Sequence, residues 1–221
     1  MNRISQAFDH GKAFIAFITG GDPDLETTEK LIISMEEAGA DLIEIGVPFS
    51  DPIAEGPVIQ AANERALKAG CTTDNLFEMV TRVRKKVKVP LVFLTYINPI
   101  YTYGKERFLK RCSECGIDGI IVPDLPYEEN EELLSDCNTC DVHLISLIAP
   151  TSKERITMIA KEAKGFIYCV SSLGVTGVRA DIKTDLAAMI KSVKSVSSSP
   201  CAIGFGVSTT EQAEEMASIS D

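Results

Sequence analysis

Glu44 is the first residue in this chain that could move a proton inside a fold. It stands in Asp41-Leu42-Ile43-Glu44-Ile45-Gly46, where strand alternation puts Leu42, Glu44 and Gly46 on one face and Ile43 and Ile45 on the other. With the isoleucines turned to covering helices, the carboxylate points into an apolar interior, and burial there raises its pKa toward the range a proton shuttle needs. A structural carboxylate satisfied by hydrogen bonds could occupy the same place, so position alone leaves both roles open. The run from Pro48 to Pro57 follows, with Asp51 and Glu55 in a loop stiffened by three prolines. Tyr168 lies mid-strand in Phe166-Ile167-Tyr168-Cys169-Val170 and needs a hydrogen-bond partner if it faces inward; a core tyrosine is the plainer reading. Two glycine-bearing stretches, Ser172–Gly177 and Gly204-Phe205-Gly206, could bring backbone N–H groups close to an anion.

Other chemistries lack their residues. No lysine closes a strand: Lys12, Lys88 and Lys164 all precede theirs, which leaves Schiff-base chemistry unsupported. The two histidines, His10 and His143, are far apart in sequence and do not suggest a metal-dependent aldolase. Cys112-x-x-Cys115 and Cys137-x-x-Cys140 imitate a four-cysteine zinc pattern, but each pair falls at the end of a helix, away from the mouth where a barrel builds its site. They read as core thiols, with no metal expected.

Seven short apolar runs punctuated by Gly, Pro, Ser or Asn must position these residues: 13–23, 41–52, 90–99, 117–126, 142–152, 165–177 and 200–208. Between them, helical periodicity predicts helices over 25–38, 73–87, 104–115, 127–137, 152–163, 182–196 and 209–219, with an extra helix over 57–69. Strand and helix in alternation, with near-continuous apolar strands, mean a parallel sheet covered by helices. A (β/α)8 TIM barrel and an open doubly wound sheet both satisfy this. The absence of G-x-G-x-x-G after any strand and the gathering of polar punctuation after every strand favour the barrel.

The chain has 221 residues, 45% of them hydrophobic and 24% charged, which is a globular balance. No linker or low-complexity run divides it, so residues 1–221 read as one domain. A net charge of −10, from 22 Lys and Arg against 32 Asp and Glu, argues against nucleic-acid binding. Strand-length apolar runs argue against a membrane span. Seven cysteines behind an N-terminus without a secretory pattern suggest a reducing, cytoplasmic setting.

Five motifs in order resemble the tryptophan synthase α subunit family: Phe17-Ile18-Thr19-Gly20-Gly21-Asp22-Pro23, Glu44-Ile45-Gly46-Val47-Pro48-Phe49-Ser50-Asp51-Pro52, Asp118 to Pro126, Gly174-Val175-Thr176-Gly177 and Gly204-Phe205-Gly206. The resemblance spans essentially the whole chain. It implies a (β/α)8 barrel that cleaves indole-3-glycerol phosphate to indole and glyceraldehyde 3-phosphate, and that passes indole to a β subunit in an α2β2 heterotetramer. No cofactor is implied in this subunit; pyridoxal phosphate belongs to the β subunit. By motif, Glu44 is implied as general acid and base, and Tyr168 as the active-site tyrosine. Glu55 stands where the family has an Asp that holds the indole N–H, one methylene longer here. Phe17, Leu94 and Ile121 are implied to line the indole pocket. Thr176 is implied in a lid, Gly177, Gly204 and Gly206 at the phosphate, and Asp51, Asn98 and Pro126 in loops facing the β subunit. A different phosphate-binding barrel enzyme and a non-catalytic regulatory subunit are the rival readings. Glu44 and Tyr168 weigh against the second.

A (β/α)8 barrel takes roughly 250 residues, whereas seven strand signals precede Asp221. The sequence therefore predicts an open, C-shaped barrel lacking its last β/α unit, with a gap between first and last strands. It also predicts a piece of a longer polypeptide, unstable and nearly inactive if it ended at Asp221.

Overall fold

The computed structural model describes residues 3–150, 152–170, 185–204, 207 and 209–221. Its strands are β1 (Ile15–Thr19), β2 (Leu42–Gly46), β3 (Leu91–Leu94), β4 (Gly119–Ile121), β5 (His143–Leu144), β6 (Ser146–Ile148), β7 (Ile167–Val170) and β8 (Cys201–Gly204). The helices are α1 (Arg3–Gln6), α2 (Leu25–Glu37), α3 (Pro57–Lys68), α4 (Thr73–Val83), α5 (Ile97–Tyr103), α6 (Lys105–Cys115), α7 (Glu131–Cys140), α8 (Lys153–Glu162), α9 (Leu186–Lys194) and α10 (Thr210–Ile219). All strand pairing is parallel and in chain order, β1 through β5 in one ladder and β6 through β8 in another. A doubly wound sheet would reorder its strands about a switch point, so chain order decides for the barrel.

The two ladders meet in the fifth apolar run. Its first half, β5, pairs with β4. The Ile145 N–H then donates to the Ile120 carbonyl at 2.9 Å, and β6 pairs with β7. The sequence reads this run as one strand; the structure hands it from one neighbour to the other at Ile145. Among the described residues β1 and β8 do not pair with each other. Asp221 lies between their N-terminal ends: its N–H donates to the Cys201 carbonyl at 3.0 Å, and its carbonyl accepts from the Ala13 N–H at 3.3 Å.

Period-2 alternation divides the side chains. Phe17, Leu42, Val92, Leu94, Ile121, Leu147, Tyr168 and Ala202 turn inward into one apolar cluster, closed below by Ile4 and Ala7. Ile43, Ile45, Leu91, Phe93 and Ile120 turn outward under α2, α4, α6 and α7. Ile148, Ile167, Cys169 and Cys201 turn outward under α8 and α9. Strands buried on both faces are apolar at nearly every position, which is why their sequences look almost continuous and why Glu44 stands out in β2.

Several helix bounds differ from the periodicity. The run over 127–137 is a 3-10 turn at Tyr127–Glu129 followed by α7, which continues to Cys140. The 73–87 helix stops at Val83, four residues early. Helix α5 has no sequence forecast, so Asn98, placed in a loop by the motif, lies in the first turn of a helix. The Asp124 side chain accepts the Ile97 N–H at 3.0 Å and caps α5 from across the next strand. Both Cys-x-x-Cys pairs sit in the last turns of α6 and α7, and all seven cysteines are free. Among the described residues no group of three or more His, Cys, Asp or Glu is arranged to hold a metal ion.

At the N-terminal end of the strands, buried Asp118 ties three segments together. Its Oδ1 accepts Arg3 Nε at 2.7 Å, and its Oδ2 accepts Arg84 Nη2 at 3.2 Å and the Leu91 N–H at 2.9 Å. Asp118→Ala should lower the unfolding free energy by about 3 kcal/mol, because both guanidiniums and a buried N–H lose their acceptor. Arg3→Ala, on the solvent side of the cluster, should cost less than about 1 kcal/mol. Urea midpoints measure both; equal losses would show that Asp118 does not anchor this end.

Candidate active site

Glu44 is the middle residue of β2 and is 3% exposed. In the parallel register it stands beside Phe17 of β1 and Val92 of β3, so apolar side chains flank it on its own face. Its Oε1 is buried without a hydrogen-bond partner among the described residues. Burial alone pushes the carboxyl up to about 8, because removal from water disfavours the charged form. At neutral pH the group therefore carries a proton that it can give away.

Tyr168 enters the same interior from β7. Burial first, and then the Glu44 carboxylate, holds its phenol well above the ordinary value, so it stays protonated and shares a field with Glu44. Gly204 makes its position possible. A side chain at 204 would put its Cβ 2.1 Å from Tyr168 Oη, so the phenol could not stay where it is. Gly46 plays a milder part: a Cβ there would lie 3.0 Å from the Phe17 ring. Phe17, Leu94, Ile121 and Tyr168 thus share one inward cluster, as the pocket motif requires. Thr176, Gly177 and Gly206 lie outside the described residues.

Glu55 comes from the proline-rich loop after β2 and is 5% exposed. Its N–H donates to the Pro52 carbonyl at 3.1 Å, a tight turn that leads through Gly56 into α3, with Pro57 at its first position. Unlike Glu44, it is answered: Asn63 Nδ2 donates to Oε2 at 3.1 Å and Tyr96 Oη to Oε1 at 3.4 Å. Burial raises the Glu55 pKa while these two donors pull it down. Burial likewise pushes the Tyr96 phenol up, and Glu55 adds to the rise, so Tyr96 remains a donor.

Asn63 and Tyr96 were not singled out from the sequence. The available signal was Asn63 in the buried stripe of α3, between Ala62 and Ala66, where an apolar residue is the rule. Asp51, Asn98 and Pro126 are exposed, and they follow β2, β3 and β4 at the same end of the barrel. Ile53 and Val58 beside Asp51 are 71% and 76% exposed, an unusual display for large aliphatic side chains.

The family model described as "Tryptophan synthase alpha chain" matches residues 5–221. The tryptophan synthase alpha chain of Thermoanaerobacter sp. (strain X514) is 48% identical, covering 100% of this chain and 86% of the relative. That of Alkaliphilus metalliredigens is 50% identical over 95% of this chain and 79% of its own. Among solved structures, the subunit alpha from Campylobacter jejuni superposes with a TM-score of 0.87 at 35% identity, over 97% of this chain and 86% of that one. The subunit alpha from Legionella pneumophila str. Paris gives 0.89 at 38%, over 100% and 84%.

The buried carboxyl has a consequence for stability. In the fold Glu44 keeps its proton to about pH 8, against an ordinary value of 4.5, so between these values the native state binds more protons than the unfolded chain. Its contribution is complete below the lower value and is lost as pH rises to the upper one. Glu44→Gln, which never ionises, should melt within a degree or two of the parent near pH 4.5 and several degrees higher at pH 8.5. A temperature offset independent of pH would show that Glu44 does not titrate in this way.

Proposed function

The chain belongs to the tryptophan synthase alpha chain family and cleaves indole-3-glycerol phosphate in tryptophan biosynthesis, and we propose that it does so by acid and base catalysis centred on Glu44. The observation that carries this reading is the buried carboxyl of Glu44, whose Oε1 has no hydrogen-bond partner among the described residues and whose pKa burial raises to about 8. Its proton goes to indole C3, which turns the ring into a cationic indolenine. The resulting carboxylate takes the proton of the glycerol hydroxyl next to the ring. The carbon–carbon bond then breaks, its electron pair restores the indole, and the hydroxyl carbon leaves as the aldehyde of glyceraldehyde 3-phosphate. The protonated ring is itself the electron sink, so this route needs neither Schiff base nor metal; none of the strands ends on a lysine.

Glu55 holds the indole N–H as a hydrogen-bond acceptor and steadies the ring as it becomes positive. Phe17, Leu94 and Ile121 enclose the ring, and Tyr168 closes the pocket opposite β2. By the family motifs, the backbone N–H groups of Gly177, Gly204 and Gly206 are assigned to the phosphate and Thr176 to the lid. This subunit uses no cofactor of its own.

The family implies a β-subunit partner. We assign an α2β2 assembly in which the β subunit, carrying pyridoxal phosphate, meets the face that displays Asp51, Asn98 and Pro126. Ile53 and Val58 supply the apolar surface there. The described residues contain no helix long and apolar enough to cross a membrane; together with the free cysteines, this supports a cytoplasmic setting.

Indole release from indole-3-glycerol phosphate tests the chemistry. Glu44→Gln should lose about 10²–10⁴ in turnover while staying folded, and more than about a tenth of parental turnover would remove Glu44 from the mechanism. Because the protonated form starts the reaction, parental kcat/KM should fall as pH rises through about 8. Glu55→Asp should be tolerated and Glu55→Ala should not. Ile53→Asp should weaken association with the family's β subunit by about 10-fold or more and leave indole release by the isolated chain unchanged. Unaltered association would move the interface elsewhere.

A further inference from the structure

Asn63 makes three hydrogen bonds, and together they fix which way its amide faces. Nδ2 donates to Glu55 Oε2 at 3.1 Å and to the Ile59 carbonyl at 3.0 Å, while Oδ1 accepts the Phe49 N–H at 3.2 Å. Turning the amide over would aim its oxygen at two acceptors and its NH2 at a donor, so only the observed orientation is satisfied. The side chain is 4% exposed and rises from the second turn of α3, a rigid element. On the other side of the carboxylate, Tyr96 Oη already accepts the Ala54 N–H at 3.1 Å, which leaves its proton for Glu55. Phe49 packs on the Tyr96 ring with centroids 5.6 Å apart, so the two donors are braced against one another through the loop.

From this geometry we infer that Asn63 is a positioning residue for the lyase reaction, holding the Glu55 carboxylate on α3 as an oriented acceptor for the substrate's ring N–H. The inference rests on the role proposed above for Glu55. Asn63 does not touch substrate; it acts through Glu55, and it joins that carboxylate to Phe49 so that loop and helix move as one piece. An acceptor that enters the reaction already oriented contributes more than one that must be ordered by the substrate.

The experiment is a double-mutant cycle on indole release by the full chain. Asn63→Leu, similar in volume but without the donor, should lower kcat/KM by about 10- to 100-fold, and less than about 2-fold when Glu55 is already Ala. Equal losses in both backgrounds would overturn the inference, as would parental kcat/KM in Asn63→Leu. Parental activity in Glu55→Ala would overturn the reading of Glu55 itself and the inference with it. Asn63→Asp keeps the shape should Asn63→Leu fail to fold. Its carboxylate faces that of Glu55 and repels it, but once protonated it donates again. The ratio of its kcat/KM to the parent's should therefore recover at least 5-fold from pH 8 to pH 6. The other titratable groups at the pair are Tyr96, which stays neutral over this range, and Asp124 behind it, which is common to both proteins. A ratio that does not change with pH would overturn the inference independently.

Discussion

Parallel pairing of β1, β2 and β3 sets Phe17, Glu44 and Val92 side by side, and the chemistry at the mouth depends on that register. A slip of one residue in β2 would send Glu44 out under the helices and bring Ile43 inside. The next pairing, β3 with β4, is held from below. Asp118 takes the first N–H of β3 and gives its own N–H to the Leu91 carbonyl, while Arg84 grips the Gly116 and Val89 carbonyls that flank the two strands. A charged cluster at the N-terminal ends of the strands thus joins β3 to β4, while the Ile43 N–H, donating to the Pro90 carbonyl at 3.0 Å, sets β2 and its central Glu44 against β3.

Two carboxyl groups of the same type then meet different surroundings. Burial raises the pKa of both. Glu44, on a strand with apolar neighbours, meets nothing that favours its charge. Glu55, on a loop folded against α3, meets Asn63 and Tyr96 and is drawn back toward the ionised form. One group can give a proton and the other can accept a hydrogen bond at the same pH. Separation of this kind lets a single pocket do acid and base work.

The sequence made the strands and the inward face of β2 legible because a period of two is local: Leu42, Glu44 and Gly46 share a face whatever surrounds them. It could not show what depends on distant partners. Helix α5 begins at Ile97-Asn98-Pro99, which reads as a turn, and the group that caps it, Asp124, arrives from after the next strand. Asn63 looks like one polar residue in a short helix until the loop before it folds back and places Phe49 and Glu55 on either side. The division of the fifth run at Ile145 was equally invisible, since both halves are apolar and differ only in which neighbour they pair with. Gly204 was read for its backbone; the structure adds that its missing side chain is the space Tyr168 occupies.

Asp118 and Glu44 show how the fold divides its polar burial. They are 5% and 3% exposed, equally removed from water. Burial pushes the Asp118 carboxyl up, but two guanidiniums and an N–H answer it and pull the other way, and the group secures the strand ends. Glu44 Oε1 is answered by none of the described residues, a condition costly for a charged group in such surroundings. By taking up a proton the group exchanges a large cost of burial for a smaller one, that of a neutral carboxyl lacking a partner. The same neutrality leaves Glu44 holding a proton at neutral pH. The unanswered oxygen and the retained proton are therefore one feature, and a donor placed beside Oε1 to relieve the first would draw Glu44 toward its ionised form and remove the second.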